Sequence, residues 1–198
     1  MNKPIIETPC IDEDGFAASR RGFLKTVANA SLLTLGGTGV LNAAVNYTPS
    51  RKTLALENIH TGDKLELTYF EQGDYIDDAL QEIDYLLRDY HTGEVHPIDP
   101  ALLDQLYDLK LELGISEPFY VFSGYRSPRT NAQLHRKHCN VARHSLHMQG
   151  RAIDIHVDGV DTRKIRNAAL AMRRGGVGYS KRSDFVHLDT GSFRSWRS

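Results

Sequence analysis

The segment from Arg151 to Asp158 constrains the fold most, because its side chains alternate between apolar and polar. A period of two is typical of a β-strand, in which successive side chains point to opposite faces of the sheet. We therefore predict a strand whose isoleucines and valine face the core, while Asp154 and His156 share the other face. A carboxylate beside buried residues needs a partner, since burying an unpaired charge is costly. A metal ion is one such partner.

A second strand is predicted over Phe185 to Asp189, where the apolar residues would face the core and His187 would face the opposite side. If the two strands are neighbours, Asp154 and His187 lie side by side, and His147 can close over them from the preceding loop. Two imidazoles and one carboxylate form a three-ligand site of the catalytic zinc type, which leaves the fourth position for water. Other divalent ions also accept these ligands.

The early part of the domain is predicted to be scaffold. Two short apolar runs between Leu54 and Phe70 flank a Gly-containing turn and indicate a β-hairpin. Two amphipathic helices follow. Asp74 is predicted to cap the first, which would end near Gly93, and Asp99 is predicted to cap the second.

The later part of the domain is predicted to hold most of the strands. A compact strand covers Phe119–Phe122, a short helix covers residues 129–138, and a helix capped by Asp161 ends where Gly175–Gly178 breaks it. Helices come early and strands mostly late, without regular βαβ alternation. This order predicts an α+β fold, a single domain whose small antiparallel sheet carries the site and has helices packed on it.

The N-terminal segment differs from the rest of the chain. Ser19–Lys25 reads SRRGFLK and precedes the uncharged apolar stretch Thr26–Val45. A basic region before an apolar one is an export signal, and the arginine pair resembles the twin-arginine motif. Residues 1–45 are therefore predicted to be a twin-arginine signal segment, and residues 46–198 the exported domain. A surface helix and a retained membrane anchor are the alternatives, but the stretch lacks a polar stripe and contains Gly, Thr and Asn.

The export signal predicts a periplasmic protein that uses the twin-arginine machinery and is not stably inserted in a membrane after signal cleavage. The chain has 24 Lys and Arg against 25 Asp and Glu. With no basic excess to neutralise phosphates, it is not expected to bind nucleic acid. Only Cys139 remains beyond the signal segment, so a structural thiolate metal site is not expected.

Three motifs resemble those of the LAS-type zinc metallopeptidases, which include D-Ala-D-Ala carboxypeptidases and phage endolysins. Ser145–Asp154, with the pattern SxHxxGxAxD, resembles their first zinc motif, and Asp184–His187 resembles the second. Ser123–Ser127 resembles the arginine motif that precedes both. Gly176–Tyr179 and Phe185–Gly191 are similar to one branch, the twin-arginine-exported murein endopeptidases. The resemblance implies a fold of the hedgehog and D-Ala-D-Ala peptidase type.

The resemblance also implies the roles of individual residues. His147, Asp154 and His187 would hold one Zn²⁺ per chain. Arg126 would hydrogen-bond the developing oxyanion of a tetrahedral intermediate.

The general base implied by the resemblance is a carboxylate three residues before the second histidine, and Asp184 occupies that position. Asp189 is the alternative, because it lies on the same strand face as His187. Asp189 could instead orient a ligand histidine.

The implied function is a zinc-dependent murein endopeptidase that hydrolyses peptide cross-links of peptidoglycan, with a zinc-activated water and a carboxylate base. Two alternatives stay open: a D,D- or L,D-carboxypeptidase of the same fold, and a non-catalytic cell-wall-binding module. His135, His138 and His144 lie among basic residues. They form either a rim for muropeptide carboxylates or a solvated charged face.

Overall fold

The computed structural model describes residues 49–137 and 141–197. The predicted signal segment, residues 1–45, lies outside the described residues, as do His138 and Cys139. Within the described ranges, none of the helices has the length and apolar character needed to cross a membrane.

The described part of the chain forms one sheet and four helices. The strands are β1 (Arg51–Asn58), β2 (Lys64–Glu71), β3 (Asp74–Tyr75), β4 (Phe119–Ser123), β5 (Ala152–His156), β6 (Gly176–Ser180), β7 (Phe185–Asp189) and β8 (Arg194–Arg197). The helices are α1 (Asp77–Leu86), α2 (Pro100–Leu113), α3 (Pro128–Lys137) and α4 (Thr162–Met172). A 3₁₀ turn, Leu146–Gln149, precedes β5.

The sheet has eight strands in the order β3-β2-β1-β4-β5-β7-β6-β8. The α+β class is confirmed, but the prediction of a small antiparallel sheet is wrong, because β1 pairs with β4 and β6 with β8 in parallel. Two strands that were not predicted, β6 and β8, lack the alternating pattern of a strand in the sequence. β6 contains two glycines, at 176 and 178, and β8 is exposed along its whole length, so neither alternates between apolar and polar.

The two early helices differ in how well their ends were predicted. At α2 the prediction is confirmed, since the Asp99 side chain accepts a hydrogen bond from the Ala101 N–H and Gly114 ends the helix with φ 62°. At α1 the predicted cap is wrong. Asp74 pairs with β2 as part of β3, and the helix begins only at Asp77, without a side-chain cap.

The hydrophobic core fixes the two strands that carry the predicted ligands. Ile153 and Ile155 of β5 and Val186 and Leu188 of β7 are fully buried in the main core cluster. The predicted core faces of both strands are therefore confirmed. The alternate side chains of β5 and β7, including Asp154 and His187, point to the other face of the sheet.

Candidate metal and catalytic site

Asp154 and His187 face each other across the paired strands β5 and β7. This confirms the prediction that the two strands are neighbours. The Nδ1 atom of His187 lies 2.8 Å from Oδ1 of Asp154. The antiparallel register alone brings the two side chains together, because directly opposite residues in a sheet present their side chains to the same face.

His147 reaches this pair from the 3₁₀ turn before β5. Ser145 caps the turn by accepting a hydrogen bond from the His147 N–H, and Gly150 ends it with φ 64°. A Cβ at Gly150 would lie 2.1 Å from the Pro97 carbonyl oxygen, so the turn requires glycine at this position. The turn places Nε2 of His147 3.2 Å from Nδ1 of His187.

These three side chains offer two nitrogen atoms and one carboxylate oxygen within 4.8 Å of one another. Nε2 of His147 is 3.4 Å from Oδ1 of Asp154. A tetrahedral ion with ligand bonds of about 2.0–2.1 Å separates its ligand atoms by about 3.4 Å. Two of the three separations, 3.2 and 3.4 Å, match this value, while the 2.8 Å between His187 and Asp154 is that of a direct hydrogen bond. The chemistry of the donors fits a divalent transition metal such as zinc.

Both histidine rings are fixed by a hydrogen bond from the nitrogen that faces away from the cluster. Nδ1 of His147 donates to the Gly124 carbonyl oxygen at 2.7 Å. Nε2 of His187 donates to Oδ2 of Asp189 at 3.1 Å. In a neutral ring, a donor at that nitrogen leaves the lone pair on the nitrogen that faces the cluster, as a metal ligand requires.

Asp189 lies behind His187 and is fully buried. Its Oδ1 accepts the backbone N–H groups of Gly176 at 3.0 Å and Gly191 at 2.8 Å. Both carboxylate oxygens also accept from Arg194, at 3.1 and 2.6 Å. Both oxygens of the Asp189 carboxylate therefore accept hydrogen bonds, as expected of a group that orients His187.

Arg126 lies beside the cluster and is only 8% exposed. Its Nη2 is 3.6 Å from Oδ2 of Asp154 and donates to Ser123 Oγ at 3.2 Å, while Nη1 donates to Asn131 Oδ1 at 3.4 Å. Among the described atoms its buried Nε has no hydrogen-bond partner. The guanidinium is therefore held beside the ligands, with its Nε–H unpaired among the described residues.

Asp184 lies away from the cluster. Its Oδ1 accepts from Thr162 Oγ1 at 2.7 Å, and its Oδ2 is 3.5 Å from Nδ1 of His156. The side chain is 64% exposed, and the backbone adopts a left-handed φ of 52°. The structure therefore does not bring Asp184 into contact with His147, Asp154 or His187.

Burial and hydrogen bonding shift the pKa values of His147, Asp154 and His187. Burial acts to raise the pKa of Asp154, but the charge of His147 and hydrogen bonds from His147 and His187 outweigh burial and lower that pKa well below its usual range. Burial lowers the pKa of His147. For His187 burial opposes protonation, yet hydrogen bonds to Asp154 and Asp189 raise its pKa above 6.5. Asp154 is thus an anion at pH 7.

The cluster opens into a cavity of about 300 Å³. Arg126 lies in its lining, together with Arg194 and Trp196 of β8, Phe185 of β7, and His144. Sequence reasoning missed Arg194 and Trp196, because β8 has no strand pattern. No sequence pattern marked them, because the contact of Trp196 with Gly178 of β6, where a Cβ would lie 2.7 Å from the ring, is visible only in the structure.

The remaining histidines of the predicted basic rim separate in the structure. His144 lines the cavity of the cluster. His135 instead hydrogen-bonds the Val141 carbonyl oxygen through Nδ1 at 2.6 Å and lines a neighbouring pocket.

A largely buried histidine–aspartate–histidine cluster beside a buried arginine, on an α+β sheet, is an arrangement of the kind that metallopeptidases use. Residues 46–196 match the family model described as peptidoglycan L,D-endopeptidase MepK, and the chain belongs to this family. The resemblance found in the sequence is confirmed.

Curated relatives cover most of the chain. Peptidoglycan L,D-endopeptidase MepK of Escherichia coli strain K12 is 42% identical over 191 residues, which are 92% of this chain and 100% of the relative. The Haemophilus influenzae protein named probable peptidoglycan L,D-endopeptidase MepK is 38% identical over 155 residues, 78% of this chain and 83% of the relative. No solved structure matches the chain.

Proposed function

We propose that this chain is a zinc-dependent peptidoglycan L,D-endopeptidase that hydrolyses peptide cross-links of murein. The observation that carries the proposal is the cluster of His147, Asp154 and His187, which opens into a cavity. Membership of the endopeptidase family supports the reaction and the substrate. The name of the family directs the reaction to a peptide bond between residues of L and D configuration.

The metal would be held by Nε2 of His147, a carboxylate oxygen of Asp154 and Nδ1 of His187. When bound, Zn²⁺ supplies Lewis-acid activation of water and of the scissile carbonyl. Three protein ligands are the number that catalytic zinc sites use. The hydrogen bonds from the rings to the Gly124 carbonyl and to Asp189 orient both imidazoles, and in the neutral rings they would select the tautomer that the metal needs.

Arg126 would stabilise the negative charge that develops on the scissile carbonyl oxygen. Its guanidinium lines the cavity beside Asp154 and carries a buried N–H without a partner among the described atoms. Burial lowers the pKa of Arg126, while the neighbouring carboxylate of Asp154 acts to raise it, and the group stays charged. A preorganised donor in a cavity shielded from water stabilises an oxyanion strongly.

Asp184 would act as the general base. Its carboxylate is exposed and accepts a hydrogen bond from Thr162 through one oxygen, and proton transfer would require the side chain to rotate toward the cluster. Asp189 is the weaker candidate, because both of its oxygens already accept hydrogen bonds. We assign Asp189 instead to orienting His187.

The proposed location is the periplasm, where peptidoglycan lies. The SRRGFLK sequence at Ser19–Lys25 supports export by the twin-arginine machinery. After signal cleavage the domain would not be inserted in the membrane.

Digestion of defined muropeptides tests this function. The purified chain is incubated with cross-linked muropeptide dimers, and the products are identified by chromatography and mass spectrometry. Conversion of dimers to monomers by cleavage of an L,D bond is the expected result. Release of only a terminal D-Ala would make the chain a carboxypeptidase. Wall binding without any product, from a folded and zinc-loaded chain, would make it a binding module.

A further inference from the structure

The carboxylate that holds His187 is itself held by a residue of the last strand. Nη1 and Nη2 of Arg194 donate to Oδ1 and Oδ2 of Asp189 at 3.1 and 2.6 Å. This is a bidentate pair, which fixes the plane of a carboxylate as well as its position. Asp189 is fully buried, whereas the Arg194 side chain is 46% exposed and lines the cavity.

The two oxygens of Asp189 differ in what holds them. Oδ1 accepts two backbone N–H groups in addition to Arg194. Oδ2, which accepts from His187, has Nη2 of Arg194 as its other donor among the described residues. The guanidinium therefore controls the oxygen that orients the His187 ring.

The strand β8 holds Arg194 in place through the sheet and through Trp196. β8 pairs in parallel with β6, so that Arg194 lies beside Gly176 and Trp196 beside Gly178. The Arg194 guanidinium lies 4.9 Å from the centre of the Trp196 ring, and that ring lies 5.1 Å from His187. Nη1 also donates to the Ser192 carbonyl oxygen at 3.1 Å.

We propose that Arg194 is a positioning residue, which acts through Asp189 to hold Nδ1 of His187 toward Asp154 and His147. This inference rests on the proposed metal site. It makes the C-terminal strand part of that site, although β8 contributes no ligand.

Metal affinity tests the proposal without reference to peptidase activity. In the full chain we compare Arg194→Ala, Arg194→Lys and the matched control Arg197→Ala, which removes an exposed arginine of the same strand outside the cavity lining. Zn²⁺ affinity is measured by competition with a chromophoric chelator, and the Co²⁺-loaded chain is measured by visible absorption. Loss of a group that hydrogen-bonds a ligand weakens metal binding by about 10–100-fold, and Arg194, which acts one contact further away, should cost up to about tenfold.

We expect that loss for Arg194→Ala, with altered Co²⁺ bands, a smaller loss for Arg194→Lys, and wild-type values for Arg197→Ala. Wild-type Zn²⁺ affinity and Co²⁺ bands in Arg194→Ala would overturn the proposal. A lower unfolding temperature of metal-free Arg194→Ala with unchanged Co²⁺ bands would also overturn it, because the role would then be structural. If the wild-type chain itself binds no Zn²⁺, the metal site of the proposed function fails and this proposal fails with it.

Discussion

Oδ1 of Asp154 and Nδ1 of His187 lie 2.8 Å apart because their residues face each other in the β5–β7 register. A slip of one residue would turn one of the two side chains into the core, since side chains alternate between the faces of a sheet. The site therefore depends on the packing that fixes the register.

Removal of either partner is expected to abolish metal binding. Asp154→Ala and His187→Ala should each lower bound zinc from about one per chain to a small fraction, because two ligands hold zinc far more weakly than three. Zinc is counted by atomic emission after dialysis. The control is His156→Ala, which changes the same face of β5 two residues further on. Full zinc occupancy in His187→Ala would contradict the assignment.

The two candidate carboxylates are expected to differ in what they affect. Asp184→Asn should retain zinc and lower kcat about 10²–10⁴-fold, since it removes a proton acceptor. Asp189→Asn should instead weaken zinc binding about 10–100-fold, because an amide cannot hold His187 as the carboxylate does. Steady-state kinetics on muropeptide dimers and zinc titration separate the two effects. An unchanged kcat in Asp184→Asn would remove it as the base.

Gly178 is expected to be required because Trp196 packs against it. A Cβ at this position would lie 2.7 Å from the indole ring, so Gly178→Ala must displace Trp196 and should lower the free energy of unfolding by about 1–3 kcal/mol. The same change in a Trp196→Ala background should cost much less. Equal costs in both backgrounds, measured by urea unfolding, would show that the two residues are not coupled.

Acid is expected to remove the contribution of Asp89 to stability. Burial acts to raise the pKa of Asp89, but hydrogen bonds from Ser127, Thr130 and His91 outweigh it and lower that pKa to about 2. A lowered pKa means that the stabilisation is complete above the unfolded value of 3.8 and is lost as pH falls through about 2.

Asp89→Asn should therefore lower the free energy of unfolding by about 2 kcal/mol at pH 7 and by much less near pH 2. Urea unfolding of both proteins across this range measures the difference. A difference that stays constant between pH 7 and pH 2 would contradict the assignment.

The ligand-bearing strands could be predicted from the sequence because their side chains alternate and their core faces are apolar. The sequence around Ile153 and Val186 carries that pattern directly. The cap of α2 at Asp99 could also be predicted, because a capping side chain bonds to backbone groups only a few residues away.

The parts of the site formed by β6, β8 and Asp184 could not be predicted, because they depend on contacts between distant segments. Gly176 and Gly178 of β6 weaken the strand pattern in the sequence. In the structure, the absence of a Cβ at these positions leaves room for Arg194 and Trp196. The position of Asp184 was also unpredictable, because it is set by a left-handed backbone and by Thr162 of another element.

Metal-dependent cleavage of cross-linked muropeptides is the most direct test of the central claim. The full chain is treated with a chelator, assayed on dimers, and assayed again after addition of one equivalent of Zn²⁺. We predict that dimers fall to monomers before treatment, that cleavage stops in the chelator, and that Zn²⁺ restores it. Cleavage that continues in a chain shown to be free of metal would contradict the account.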